Sequence, residues 1–343
     1  MSSRQHFLLM IARGVPRACG MLLGACGVLL TSAVAAADEP RQWLADMNRA
    51  FSELSYDGMF SFYGGDDLAS LRVVHMVVDG VQRERLIHLN GAPREIIRIG
   101  ETVACILLPG DELLELESSI PSGPFARAFV RRYDRISSYY GLSFYGEDRV
   151  AGRQTVRMAV SPRDEDRFGY RLWLDKQTRM LLRSELIDAD GKRLEIFQFN
   201  QISFGDDVNE QALEPMNHDG SVVSHLTLAR ESSVPGPQGQ SRWRAQWVPA
   251  GFTMAASDIR RTPRTLKFVD TMMFSDGLAA FSVFIEDMPS AGAASMVSRR
   301  GATVAVTHLL ADADQHHLVT LVGELPTATA RRIAQSIQLR PRP

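Results

Sequence analysis

The chain runs to 343 residues, 45% of them hydrophobic and 23% charged, with a formal net charge of −2. That length can bury the cores of two domains, and the charge balance excludes the strongly basic face that nucleic-acid binding requires. Of the three cysteines, only Cys105 lies beyond the leader described next, which excludes an intrachain disulfide in the mature chain.

Met1–Ala37 reads as a secretory signal. Arg4, Arg13 and Arg17 make a basic front, Ala18–Val34 is an almost uncharged apolar stretch, and Ala33-Val34-Ala35 offers small residues for cleavage. A lipoprotein signal is the competing reading, through Leu23-Gly24-Ala25-Cys26. It would leave Gly27–Ala37 as an apolar tail without purpose, and Pro16, Arg17 and Gly20 interrupt the segment before it. An uncleaved anchor is weaker still, because the stretch is short and Gly-rich. Removing the leader takes away three arginines, which brings the formal net charge to −5.

Behind the leader, Asp38, Glu39 and Pro40 start a helix whose face carries Trp43, Met47, Ala50, Phe51 and Leu54. Short strands then follow from Tyr56 to Phe204. Asp79-Gly80 and Asn90-Gly91 each predict a type I′ hairpin, so Leu71–Val78, Val81–Leu89 and Arg94–Ile99 run antiparallel. Thr102–Leu108 is the next strand, with Cys105 as a buried thiol. A second helix spans Pro124 to Tyr139, with Phe125, Phe129, Tyr133 and Ile136 on one side. Gln154–Val160, Tyr170–Leu174, Arg179–Ile187 and Arg193–Phe204 complete the set. No run of ten or more helix-periodic residues interrupts either set of strands, before or after that helix, which excludes a parallel α/β sheet with crossover helices. Leu71–Val78 and Thr102–Leu108 are apolar on both faces and should be covered on both. The fold class is therefore mainly β (α+β): an unclosed, curved antiparallel sheet around helices, enclosing a hydrophobic interior, with a smaller α+β domain behind it.

A polar stretch at Asp206–Gly220 places the boundary near residue 217, so the domains are 38–216 and 217–343. Ser232–Gln240 has no core-forming capacity. Strands are expected at Arg242–Val248, Thr265–Phe274, Ala279–Glu286, Ala302–Leu309 and His317–Val322, with a turn at Asp276-Gly277. After Pro326 a closing helix repeats Ala330, Ile333, Ala334 and Ile337 at i, i+3, i+4 and i+7.

Catalytic chemistry finds little support. The chain has no Gly-x-Ser-x-Gly elbow and no phosphate-cradling motif, so a non-enzyme without a cofactor is expected. Asp312, Asp314, His316 and His317 are the one metal-like cluster, yet adjacent histidines on a strand face opposite ways, and a polar hairpin is favoured. Asp164–Asp166, flanked by Arg163 and Arg167, read as a solvated turn. On the second helix Arg127, Arg131 and Arg135 recur at i, i+4 and i+8 opposite the aromatic face. Such a helix suits a phosphorylated amphiphile, its head on arginine forks and its chains in an apolar cavity; an ordinary surface helix is the competing reading. Strand alternation marks Phe60, Phe62, Val156, Met158, Trp173, Phe197 and Phe199 as the lining of that cavity, with the three arginines at its rim. Trp243, Trp247, Phe252 and Met254 are either partner-binding anchors or core.

Several segments resemble a known family. Tyr56–Gly64 (YDGMFSFYG), Leu71–Asp79 leading to Glu84-Arg85-Leu86, and Gly91–Ile99 (GAPREIIRI) are similar to the opening of the periplasmic RseB/MucB regulators of the sigma-E envelope stress response. So are Trp247–Phe252 (WVPAGF), Phe274–Phe284 (FSDGLAAFSVF), Gly301–Thr303 and Val319–Pro326 (VTLVGELP). The likeness covers essentially the whole mature chain, in order.

This resemblance implies a lipoprotein-carrier-like half-barrel in the first domain and regulation without catalysis. The expected partner is the periplasmic segment of a membrane-spanning anti-sigma factor, gripped largely by the second domain and shielded from proteases. A lipidic signal such as lipopolysaccharide is expected to occupy the first domain and release it. The alternative is a periplasmic lipid or lipoprotein carrier that regulates nothing. The sequence leaves homo-oligomerisation open.

Overall fold

The structure, a computed structural model, describes residues 35–91, 93–100, 102–107, 137–216, 222–227, 241–261, 268–288, 295–312 and 315–340. It opens with helix α1 (Ala35–Glu53) and builds an 11-stranded antiparallel sheet. The strands are β1 (Tyr56–Gly64), β2 (Asp67–Val78), β3 (Val81–His88), β4 (Arg94–Ile99), β5 (Thr102–Leu107), β6 (Tyr140–Val150), β7 (Arg153–Pro162), β8 (Gly169–Asp175), β9 (Leu181–Ile187), β10 (Arg193–Phe204) and β11 (Val222–Thr227). Their order is β11-β5-β4-β3-β2-β1-β10-β9-β8-β7-β6. Two meanders thus share one seam, where β1 lies beside β10, and β11 and β6 are left as the two edges. The expected mainly β, unclosed antiparallel sheet is what the chain forms.

Helix α1 supplies the cover for two adjoining clusters. Leu44 and Met47 join Met158, Leu172, Leu174 and Leu181 in one, while Ala50 joins Phe60, Phe197 and Phe199 in the other. Full burial of Leu44 and Met47 contributes about 3–6 kcal/mol by apolar transfer. Leu44 is missing from the expected helix face, which the 3.6-residue repeat extends to include it.

The second half of the chain carries a six-stranded sheet, ordered β13-β14-β15-β18-β17-β16. Its strands are β13 (Thr253–Arg261), β14 (Phe268–Ser275), β15 (Ala280–Met288), β16 (Val297–Arg300), β17 (Thr303–Asp312) and β18 (Gln315–Glu324). Helix α2 (Thr327–Gln335) covers it through Ala330, Ile333 and Ala334. A two-stranded ribbon, β12 (Trp243–Ala245) with β19 (Ile337–Leu339), closes the end, so Ile337 packs from a strand and not from the helix.

Several local expectations change. Asp79 and Gly80 both take positive φ, 52° and 76°, as a type I′ turn demands. At Asn90-Gly91 only Gly91 does, at 78°. Asn90 is spent on a cross-link instead: its side chain accepts from the Ser70 amide (2.8 Å) and donates to the Leu68 carbonyl (3.0 Å). In β2 two-sided burial holds at Val73, Val74 and His75, but Val77 is 38% exposed at the hairpin end. Strand β6 was not anticipated, because its exposed run Tyr145–Arg149 hides the two-residue alternation. β13 and β16 were missed too; β13 has a bulge between Met254 and Ala256, and β16 is exposed throughout. β11 follows the expected boundary near residue 217, yet it hydrogen-bonds along β5 and extends the first sheet. Most of the predicted helix at Pro124–Tyr139, with Arg127, Arg131 and Arg135, lies outside the described residues, as does the side chain of Cys105.

Candidate functional site: an aromatic cluster and a buried junction

The seam between β1 and β10 builds the aromatic cluster. Register places Phe60 opposite Phe199 and Phe62 opposite Phe197, so alternation points all four rings the same way. Ring centroids lie 4.9 Å apart for Phe60–Phe197, 5.7 Å for Phe60–Phe199 and 5.1 Å for Phe197–Phe199. Gly58 is needed here, because a Cβ on it would sit 2.5 Å from the Phe199 ring. Phe199 is 1% exposed and Phe62 half-buried.

The structure divides the remaining expected lining residues. Met158 is fully buried, but in the neighbouring cluster with Leu44 and Met47. Val156 is half-buried and belongs to neither cluster. Trp173 is buried in the same cluster as Phe60, Phe197 and Phe199. It stands opposite Arg157 and Arg183 in the ladder, whereas Met158 stands opposite Leu172, so the two project from opposite faces. The Trp173 indole donates to Asp148 (2.9 Å), and the Arg183 guanidinium lies 4.8 Å from its ring. A cleft of about 540 Å³ opens beside β3 and β4, between Arg83, Ile97, Ile99 and the short Glu210–Leu213 turn; none of the expected lipid residues lines it.

The partner-binding candidates also separate. Trp243 has no exposed surface and Phe252 is 5% exposed; both belong to the core of the second sheet. In this conformation they have no surface to offer another protein. Trp247 packs on the rim of that core under the Arg332 guanidinium, 3.7 Å from its ring, and Met254 is 41% exposed. His317 is buried against Trp243 and hydrogen-bonds Asp287 (2.8 Å), which gives it a structural partner.

Sequence reasoning missed a junction between the two sheets, and the turn read as solvated lies at its centre. Arg167 is wholly buried there. Its Nη1 donates to Asp276 Oδ2 (2.6 Å), Nη2 to the Ala250 carbonyl (2.6 Å) and Nε to Asp164 Oδ1 (3.0 Å). Tyr139, Tyr140 and Phe252 surround the guanidinium at 5.1–5.5 Å from their centroids. Asp276, in the turn between β14 and β15, also accepts from Tyr140 Oη (3.0 Å) and from the Leu278 and Ala279 amides. Burial works against the Arg167 charge, and its hydrogen bond to Asp164 with the Asp276 and Asp164 charges outweighs it, so its pKa rises. Burial first, then the Asp276 charge, keeps the Tyr140 phenol protonated far above the ordinary range.

Further links surround this hub. Thr329 donates to Asp166 (2.8 Å), Arg300 pairs with Asp67, and Leu278 and Ala302 enter the apolar cluster under α1. Gly251, at φ +93°, comes so close that a Cβ would lie 2.4 Å from the Tyr139 ring. Nothing in the segment around Arg167 shows that its charge is taken out of water by residues as far away as Phe252 and Asp276.

Residues 39–217 match the family model described as the MucB/RseB N-terminal domain, and residues 237–338 match the MucB/RseB C-terminal domain. The sigma factor AlgU regulatory protein MucB of Pseudomonas aeruginosa is 35% identical over 320 residues, covering 92% of this chain and 96% of that protein. The sigma-E factor regulatory protein RseB of Escherichia coli K12 is 30% identical over 315 residues, covering 91% and 95%. Among solved structures, the complex of Pseudomonas aeruginosa MucA and MucB matches at TM-score 0.74 and 34% identity, over 89% of this chain and all of that one. A second complex of MucB with MucA(peri) matches at 0.72 and MucB alone at 0.61, with 32% and 31% identity over 88% of this chain and 100% and 98% of theirs. Matching both domain models in order, at 30–35% identity over most of its length, this chain belongs to the MucB/RseB family.

Proposed function

We propose that this protein is a periplasmic negative regulator of a sigma-E-type envelope stress response, acting by binding and without catalysis. Exported behind the Met1–Ala37 leader, it binds the periplasmic part of a membrane-spanning anti-sigma factor and shields it from regulated proteolysis. A lipidic ligand such as lipopolysaccharide then releases it. The observation that carries the reading is that the chain matches MucB in its two MucA complexes, at TM-scores of 0.74 and 0.72, better than MucB alone at 0.61. That ranking supports a junction already in the partner-binding arrangement.

The lipid half of the reading rests on the Phe60–Phe197–Phe199 cluster. These rings are 1–4% exposed and share their cluster with Ala50 of α1. An acyl chain therefore enters by displacing existing packing, and α1 is the element that yields. Release is then a population shift: the lipid favours the released state only by as much as it binds that state more tightly, about 1.4 kcal/mol per tenfold difference.

Native mass spectrometry of the full mature chain tests both halves. The expected result is a defined complex with the anti-sigma periplasmic fragment that dissociates as lipopolysaccharide is added. Failure to capture the fragment overturns the regulatory reading. Stoichiometric lipid transfer between vesicles in its place identifies a carrier, and the same spectra report any homo-oligomer.

A further inference from the structure

Two carboxylates from different sheets flank the turn between β16 and β17, where the second sheet meets the first. Glu195 of β10 lies opposite Gly64 in the first sheet, and its Oε1 accepts a hydrogen bond from the Ala302 amide (3.0 Å). Glu324 ends β18 and lies opposite Thr303, the residue after Ala302. Ala302 itself is completely buried. The two backbones touch closely: a Cβ on Gly301 would stand 2.9 Å from Glu195 Oε1 and 3.0 Å from the Gly65 nitrogen.

The charged groups around this pair are committed elsewhere. Arg300 pairs with Asp67, and Arg299 donates to the Gly301 carbonyl (2.9 Å) and lies over Phe168. Arg167 is held by Asp164 and Asp276. Tyr170 of β8 is buried in the field of Glu324, Tyr140, Asp276 and Glu195, with burial as the main cause of its raised pKa. Burial and the Glu195 charge push Glu324 up to about 7. Burial raises Glu195 as well, against the pull of the Ala302 amide. No basic side chain enters either balance.

We propose that Glu195 and Glu324 form a proton-operated latch between the two halves of the chain: a proton held by Glu324 lets both half-buried carboxyls sit against the Ala302 turn, and loss of that proton loosens the junction. Two like charges that are desolvated together cannot both ionise without cost. The direction follows from linkage. The Glu324 carboxyl binds its proton more tightly in the docked state than when solvated, so the docked state gains stability as pH falls from about 7 towards the ordinary carboxyl range. It loses that stability as pH rises through about 7. This inference does not depend on the anti-sigma partner or on a lipid.

Hydrogen-exchange protection of the Ala302 and Thr303 amides in the full mature chain, corrected for intrinsic rates, tests the latch between pH 5.5 and 8.5. Protection in the wild type should fall by at least about tenfold over that range, the equivalent of one pKa unit. In Glu324→Gln it should be high and nearly flat, and Glu195→Gln should move the change to lower pH. A wild-type profile without pH dependence overturns the latch, and so does a Glu324→Gln profile that follows the wild type. If a variant fails to fold, the carboxyl-carbon chemical shift of Glu324 in the wild type decides. A midpoint near 7 supports the latch, and one in the ordinary carboxylate range refutes it.

Discussion

Replacing Asp276 by alanine tests whether the two sheets are docked in solution as they are here. The substitution removes a carboxylate with no exposed surface that faces Arg167 at 2.6 Å and Tyr140 at 3.0 Å. Breaking one side of a buried ion pair costs about 3–5 kcal/mol, because the remaining charge is stranded. Asp164, 32% exposed, still neutralises part of the guanidinium, which places the expected loss near the lower figure, about 3 kcal/mol. Urea unfolding of wild type and variant, followed by tryptophan fluorescence, measures it as a lowered midpoint. A second variant separates packing from charge. Asp276→Leu combined with Arg167→Met removes both charges, and buried pairs replaced by apolar groups of similar volume are often neutral or better. That double variant should recover only the part of the loss due to the stranded charge, because the Tyr140 hydroxyl and the Leu278 and Ala279 amides still lose their acceptor. If Asp276→Ala costs less than about 1 kcal/mol, the value of a solvated surface pair, Arg167 is in water and the junction is open in solution.

Three other outcomes are expected. Gly251→Ala forces a Cβ to within 2.4 Å of the Tyr139 ring at a φ of +93°, so it should destabilise by about 1–3 kcal/mol or more, read as a lower thermal midpoint. Phe199→Ala empties the centre of the aromatic cluster and should cost about 3–5 kcal/mol in chemical denaturation; a cost below 1 kcal/mol would mean that the cluster is not closed. Arg131→Glu with Arg135→Glu should weaken capture of lipopolysaccharide vesicles without changing stability, and unchanged binding would remove these arginines from the ligand rim.

Much of the architecture was readable in advance because it is local. The alternation in Arg94–Ile99 and Arg193–Phe204 returned those strands with their exact ends, since one buried face repeats every two residues. Asp79-Gly80 formed its turn because the two positive φ angles are a property of that dipeptide. Ala330, Ile333 and Ala334 formed the buried face of α2 for the same kind of reason. Where the local pattern is broken, as along the exposed middle of β6 or in the bulged β13, the strand could not be read. Even Asn90-Gly91, a strong turn signal, was captured by a longer-range bond to Ser70 and Leu68.

Periodicity along the chain thus sufficed for most strands and for the main helix faces, and the quoted motifs carried the resemblance that spans both halves. It could not say which apolar faces share a cluster: Met158 and Trp173 look alike in sequence and point to opposite sides once the ladder is formed. Nor could it show that Arg167, in a run of charges that reads as a solvated turn, is buried against Asp276, or that Glu195 and Glu324 flank the same turn. A side chain's hydration and its electrostatic partners depend on segments more than a hundred residues apart, so their chemistry exists only after the two sheets meet.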